Sequence, residues 1–200
     1  MDIGAGTGLG TMVLAAALPG ADVLAVEPSS VLRAVLLARI VDDADLRARV
    51  TVVAADALSV ELPDRLSAVL AMNMIGHLTP SERREFLRRV AARLLPGAPL
   101  VLNLQPPAEA IPISEVTFGS VKVGRYVYEG SGGAEPAGPD AVSWRMRYRV
   151  LGANGSAVRE SAVDYRWNVV AAADLLAELA DVGLAGDVGQ ADVIRAVRLA

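Results

Sequence analysis

The 200-residue chain has no cysteine, a single histidine, a single lysine and few aromatic side chains: two Trp, four Tyr and two Phe. Without cysteine there is neither a disulfide framework nor a thiolate metal site, and His77 alone cannot make a zinc site. Lys122 is one of 19 basic residues, the rest being arginine, and 23 acidic residues bring the formal net charge to −4 and the sequence pI to about 5.1. A global basic field for nucleic acid is therefore missing. The first basic residue is Arg33, so the apolar stretch 12–18 lacks the positive flank of a secretory signal, and the apolar strands further on are too short to span a membrane. The simplest address is the cytoplasm.

What is present begins at position 2. Asp2-Ile3-Gly4-Ala5-Gly6-Thr7-Gly8 puts three glycines at alternate positions after an acidic residue, and the apolar run 11–18 reads as the helix that follows. Glycine there lets a strand-to-helix turn reach angles denied to other residues, and lets a ligand lie against the main chain. A dinucleotide fingerprint would need glycine at relative positions 1, 3 and 6. Counted from Gly4, Gly6 or Gly8, the sixth position is Leu9, Thr11 or Val13, so the fingerprint is not met. A turn with no ligand remains the plain alternative.

Further strands follow at regular intervals. Residues 21–26 form a short apolar run that ends in Glu27, where a carboxylate can accept from the vicinal hydroxyls of a ribose, or simply be a solvated loop residue. Residues 50–55 are a Val-rich strand ending at Asp56-Ala57, and Asp56 taken alone is as well read as a turn aspartate. Residues 67–72 form a fourth strand leading into 73–78. Thr79, Pro80 and Glu82 then give a capping box with proline at the first helical position, for a helix running to about 95. On that helix Arg83, Arg84, Arg88 and Arg89 interleave with Glu82 and Glu85 and read as a solvated face. Residues 100–104 are a fifth strand, ended by Gln105 and two prolines.

Apolar strands alternating with helices predict an open, doubly wound, mostly parallel α/β sheet, one domain over 1–200. In such sheets ligands bind at the carboxyl ends of the strands, near the point where strand order reverses. Gly4, Gly6, Gly8, Glu27, Asp56, Asn73, His77 and Gln105 all fall at those ends.

The glycine spacing, with Glu27 and Asp56 after it, resembles the class I S-adenosylmethionine-dependent methyltransferases, small-molecule type, over almost the full chain. The resemblance implies a Rossmann-like fold and S-adenosylmethionine as cofactor, held by Asp2, Gly4, Ala5, Gly6, Gly8, Glu27, Asp56, Ala57 and Asn73. Glu27 would take the ribose, Asp56 the adenine amino group and the Ala57 N–H the ring. Transfer to a small-molecule acceptor, on nitrogen or oxygen, mainly needs alignment with the reactive methyl group. His77 is the one side chain in the mouth with a near-neutral reference pKa, and reads either as a base or as a structural hydrogen-bonding residue. No nucleic acid or membrane partner is implied.

Residues 106–168 depart from that pattern and read as antiparallel strands inserted after strand five. A strand pair or arm is expected around 116–128, then a mobile Gly/Pro-rich loop over 130–139. Asn154-Gly155 predicts a type I′ hairpin that sets Arg149 opposite Glu160, Arg145 opposite Asp164, Trp144 opposite Tyr165 and Met146 opposite Val163. By resemblance this sheet roofs an acceptor pocket; it reads equally as a homodimer surface, and its aromatic face as simple packing. A helix over 171–182, stopped by Gly183, and strands over 185–190 and 192–199 complete the fold.

Two expectations concern completeness and rivals. Only residues 1–3 precede Gly4, which suggests an N-terminally shortened, marginally stable and weakly active version of a longer enzyme, with ladder groups on neighbouring strands left unpaired. The competing functions are a non-catalytic or truncated S-adenosylmethionine-binding domain and a nicotinamide-dependent oxidoreductase. The latter would want a Tyr-x-x-x-Lys pair, and Phe118 stands four residues before Lys122.

Overall fold

The computed structural model describes residues 1–199 and divides into two compact units, Met1–Gln105 with the segment from Ala171 onward, and Pro106–Val170. With elements numbered in chain order, the first unit holds β1 Asp2–Ile3, α1 Leu9–Ala17, β2 Val23–Val26, α2 Ser30–Val41, α3 Ala44–Arg49, β3 Val50–Val53, β4 Val69–Ala71, α4 Pro80–Arg93, β5 Pro99–Asn103, α5 Ala172–Asp181, β10 Leu184–Val188 and β11 Val193–Arg198. Its seven-stranded sheet runs β10-β11-β5-β4-β1-β2-β3. The pairs among β1 to β5 are parallel, whereas β11 is antiparallel to both β5 and β10. Strand order therefore reverses between β1 and β4, as the alternation of strands and helices predicts.

β1 has two residues, yet the groups flanking it are paired. Gly4 N and Ala5 N both donate to Val26 O at 2.9 Å, and Leu70 N donates to Met1 O at 2.9 Å. The unpaired ladder groups expected beside so short a strand are not found at these positions, because the glycine turn continues the hydrogen bonding after the strand ends.

Local codes fix most helix starts. Thr79 and Glu82 form the expected capping box with Pro80 inside it, the Thr79 N–H donating to Glu82 at 2.8 Å. Ser29 caps α2, and Asp43 caps α3 by accepting from Asp45 N and Leu46 N. The solvated reading of the arginines on α4 fails at Arg83, which is 4% exposed and grips Glu178 of α5 through two bonds of 2.7 and 2.8 Å. Helical periodicity cannot reveal this, since the partner lies 95 residues away.

The second unit is a four-stranded antiparallel meander, β6 Ile113–Val123, β7 Tyr126–Pro136, β8 Ala141–Leu151 and β9 Ala157–Asn168. The expected pair around 116–128 is the β6–β7 hairpin. The expected mobile loop over 130–139 is instead mostly β7, and its glycines have a packing reason. A Cβ on Gly130 would lie 2.5 Å from the Phe118 ring, and one on Gly132 would lie 2.7 Å from Met146 Sδ, so large neighbours on β6 and β8 fill the space that β7 leaves.

The β8–β9 register is the one expected, with Arg149 facing Glu160, Arg145 facing Asp164, Trp144 facing Tyr165 and Met146 facing Val163. The turn is not type I′. Gly155 has φ +77° but Asn154 does not have a positive φ, and Gly155 N donates to Gly152 O, so Ala153 and Asn154 occupy the centre and Gly155 is the bulge. A second irregularity between Leu151 and Val150 then restores the register. Arg149 makes its ion pair with Glu129 on the other neighbouring strand, while Glu160 lies 3.8 Å from Arg147.

The Arg83–Glu178 pair gives a stability prediction. Glu178→Ala strands a buried guanidinium and should cost about 3–5 kcal/mol in urea unfolding, whereas the apolar double variant Arg83→Met with Glu178→Leu should recover most of it. A Glu178→Ala cost below about 1 kcal/mol would show the pair to be energetically idle.

Candidate functional site

Three glycines in one turn have three different reasons. A Cβ on Gly8 would run into Leu36 of α2, so glycine there lets α1 and α2 approach. On Gly4 it would press on Met74 Cβ at 3.2 Å. Gly6, with φ +56°, has no protein atom nearer to that position than Gly4 O at 3.9 Å. A side chain at Gly6 would meet a left-handed backbone and a cavity, not packing.

Glu27 ends β2 at 5% exposure and spans two turns. Its Oε2 accepts from Gly6 N at 2.8 Å and its Oε1 from Ser29 N at 2.8 Å. Arg33 secures the following loop by donating to Glu27 O and Pro28 O, both at 2.7 Å. A carboxylate offers about four acceptor positions, so about two remain for a ligand. Beneath the turn, Asp2 is 2% exposed and accepts from Thr11 Oγ1 at 2.6 Å; burial pushes its carboxyl above the usual value, opposed by that hydrogen bond.

After β3, Asp56 folds the chain into a tight turn, its Oδ1 accepting from Leu58 N and Ser59 N at 2.8 Å each. Bonds from Ser59, backbone and hydroxyl, and from the Leu58 N–H hold its carboxyl below the ordinary value. Arg89 of α4, also read as solvated, instead reaches this turn and donates to the carbonyls of Ala57, Leu58 and Val60.

After β4, Asn73 takes φ +56° and is gripped by Asn103 at the end of β5. Asn73 N donates to Asn103 Oδ1 at 2.7 Å, and Asn103 Nδ2 donates to Asn73 Oδ1 at 2.8 Å. His77 closes the 3₁₀ turn Ile75–His77 that follows. It is exposed by area, yet crowding of the ring pushes its pKa below 6.5 through burial, opposed by the Glu27 charge.

These strand ends enclose a cavity of about 570 Å³ within the first unit, in the range of small-molecule sites. Asp2, Gly4, Ala5, Gly6, Glu27, Asp56, Ala57, Asn73 and His77 all line it; Gly8 and Gln105 do not. Sequence reasoning missed its apolar walls, among them Pro28, Leu32, Met74 and Leu78. Leu32 lies four residues after Pro28, the spacing of one helical turn from the Glu27 loop, which is the signal that could have found it. Among the described residues no cluster suited to a metal ion occurs, and no helix is long and apolar enough to cross a membrane.

Known proteins bear out the architecture. The family profile described as a methyltransferase domain matches residues 1–97. No curated protein matches the chain. Among solved structures, it is similar to S-adenosylmethionine-bound CalS10 from Micromonospora echinaspora, an amino pentose methyltransferase involved in calicheamicin biosynthesis. That likeness has 21% identity and a TM-score of 0.78, over 98% of this chain and 81% of that one. The sugar N-methyltransferase KedS8 from a Streptoalloteichus species gives 21% identity and a TM-score of 0.78, over 100% and 79% of the two chains. DesVI from Streptomyces venezuelae gives 19% and 0.79, over 98% and 82%. Residues 1–97 thus match a methyltransferase domain profile, and the chain has the fold of the class I S-adenosylmethionine-dependent methyltransferases, with an antiparallel sheet inserted after the fifth strand.

Proposed function

We propose that this methyltransferase moves the methyl group of S-adenosylmethionine to a small-molecule acceptor, an amino group on a sugar-like molecule being the first choice and a hydroxyl the second. The observation that carries the cofactor assignment is the open space beside Gly6, next to a buried carboxylate with acceptor capacity left over. Glu27 would hold the ribose hydroxyls, while Asp56 and the Ala57 N–H would meet the adenine. Leu32 and Leu78 supply apolar wall. The acceptor class draws on the names of the similar structures, an amino pentose methyltransferase and a sugar N-methyltransferase.

When bound, S-adenosylmethionine supplies an electrophilic methyl group on a sulfonium. The chain's own work is then mostly alignment: the bracing of the Gly6 turn by Glu27 and of Asn73 by Asn103 keeps the walls of the cavity in place. An ammonium acceptor must lose a proton before it can attack. His77, with its pKa below 6.5, is neutral at pH 7 and able to take that proton at an imidazole nitrogen.

Thermal shift against S-adenosylmethionine, S-adenosylhomocysteine and NAD(P) in parallel tests the cofactor, since a ligand at 100 times its Kd adds about 2.7 kcal/mol of stability. The two sulfur ligands should raise the melting temperature and NAD(P) should not; the reverse would favour an oxidoreductase. Binding without turnover on an amino-sugar panel would favour a non-catalytic domain. Glu27→Gln should weaken S-adenosylhomocysteine binding by about 1.5–3 kcal/mol. It should also lower stability, because one amide NH₂ must face the Gly6 or Ser29 N–H. Unchanged affinity would remove Glu27 from the site.

For His77 the sign follows from the neutral form being the active one. Turnover should be flat above pH 6.5 and fall as acid protonates the ring through its lowered pKa. His77→Ala should abolish that acid limb and reduce turnover by about 10²–10⁴-fold with cofactor affinity unchanged. A small, pH-independent loss would assign His77 to hydrogen bonding instead.

A further inference from the structure

The turn after β3 is held on both sides and leaves one donor out. Leu58 N and Ser59 N bond to the Asp56 carboxylate, Asp56 N donates to Ser59 Oγ at 3.2 Å, and Val60 N donates to Asp56 O at 3.1 Å. The carbonyls face the other way, toward α4. There Arg89 Nη1 donates to Ala57 O at 3.1 Å and to Leu58 O, while Nη2 donates to Val60 O at 2.6 Å. Of the backbone N–H groups of residues 56–60, among the described residues, only that of Ala57 makes no hydrogen bond. Ala57 and Asp56 both line the cavity.

One planar guanidinium bonded to three carbonyls fixes three peptide planes at once, which a single ammonium on a flexible stem cannot do. We infer that Arg89 is a positioning residue for base recognition, holding the turn so that the Ala57 N–H and the Asp56 carboxylate form a donor–acceptor pair that selects adenine over hypoxanthine. The inference rests on the cofactor reading above. The two bases differ at the edge that such a pair would read. Adenine N1 accepts and its exocyclic amino group donates, whereas hypoxanthine N1–H donates and its O6 accepts, so both contacts turn repulsive. Arg89 touches neither base nor acceptor; it acts through the turn.

The test is calorimetric, on the full chain, with S-adenosylhomocysteine and its deaminated hypoxanthine counterpart. The wild type should prefer the adenine ligand by at least about tenfold, in keeping with the cost of leaving site polar groups mispaired. Arg89→Met should bring that ratio close to one, and Arg89→Lys, which keeps the charge and guards against loss of the fold, should lower it part of the way. A ratio that stays at the wild-type level in Arg89→Lys and Arg89→Met, whether or not both affinities fall, would make Arg89 a plain staple between helix and loop and overturn the inference. A wild type that binds neither ligand would contradict the cofactor reading itself, and this role with it.

Discussion

One carboxylate ties the candidate site together. Glu27 accepts from Gly6 N with one oxygen and from Ser29 N with the other, so the turn after β1 and the start of α2 are both referred to the end of β2. A buried carboxylate is tolerated only when hydrogen-bonded, and those two bonds, with the loop secured by Arg33, meet that demand. The same group is then pre-oriented for a ligand. Because the protein already uses half of its acceptor capacity, a ligand bound there would require little rearrangement of the side chain, which is the condition for tight and specific recognition.

The other walls follow the same scheme of a strand end locked by a partner from elsewhere in the chain. Arg89 holds the loop after β3, and Asn103 holds Asn73 in a left-handed conformation that costs energy in isolation. The parallel sheet supplies the common edge, and the strand-order reversal between β4 and β1 opens space there. Function in such a fold resides in these few bonded ends, not in the sheet, which many unrelated activities share.

What the sequence made legible was local. The Thr79-Pro80-Glu82 start of α4 and the acidic residues at the ends of β2 and β3 depend on neighbours a few positions away, and all were readable. The β8–β9 register was also readable, although from the wrong turn type: a three-residue loop and a later bulge offset each other by one residue each. Arg83, Arg89 and Asn103 were misread or left without a role, because their partners lie 95, 29 to 32 and 30 residues away and no periodicity encodes them. The glycines of β7 misled for a related reason. Composition says loop, while the cause of the glycines is the bulk of Phe118 and Met146 on the adjacent strands.

Gly6 borders open space whereas Gly8 is packed against Leu36, and a paired substitution measures that difference. Gly6→Ala and Gly8→Ala both place a side chain at positive φ, a strain of about 1–2 kcal/mol each. Only the second also displaces Leu36. Calorimetric titration with S-adenosylhomocysteine should find Gly6→Ala folded, with a modest drop in melting temperature, but at least about tenfold weaker in binding, a loss of about 1.4 kcal/mol, while Gly8→Ala loses mainly stability. A folded Gly6→Ala protein that binds S-adenosylhomocysteine as tightly as the wild type would contradict the account.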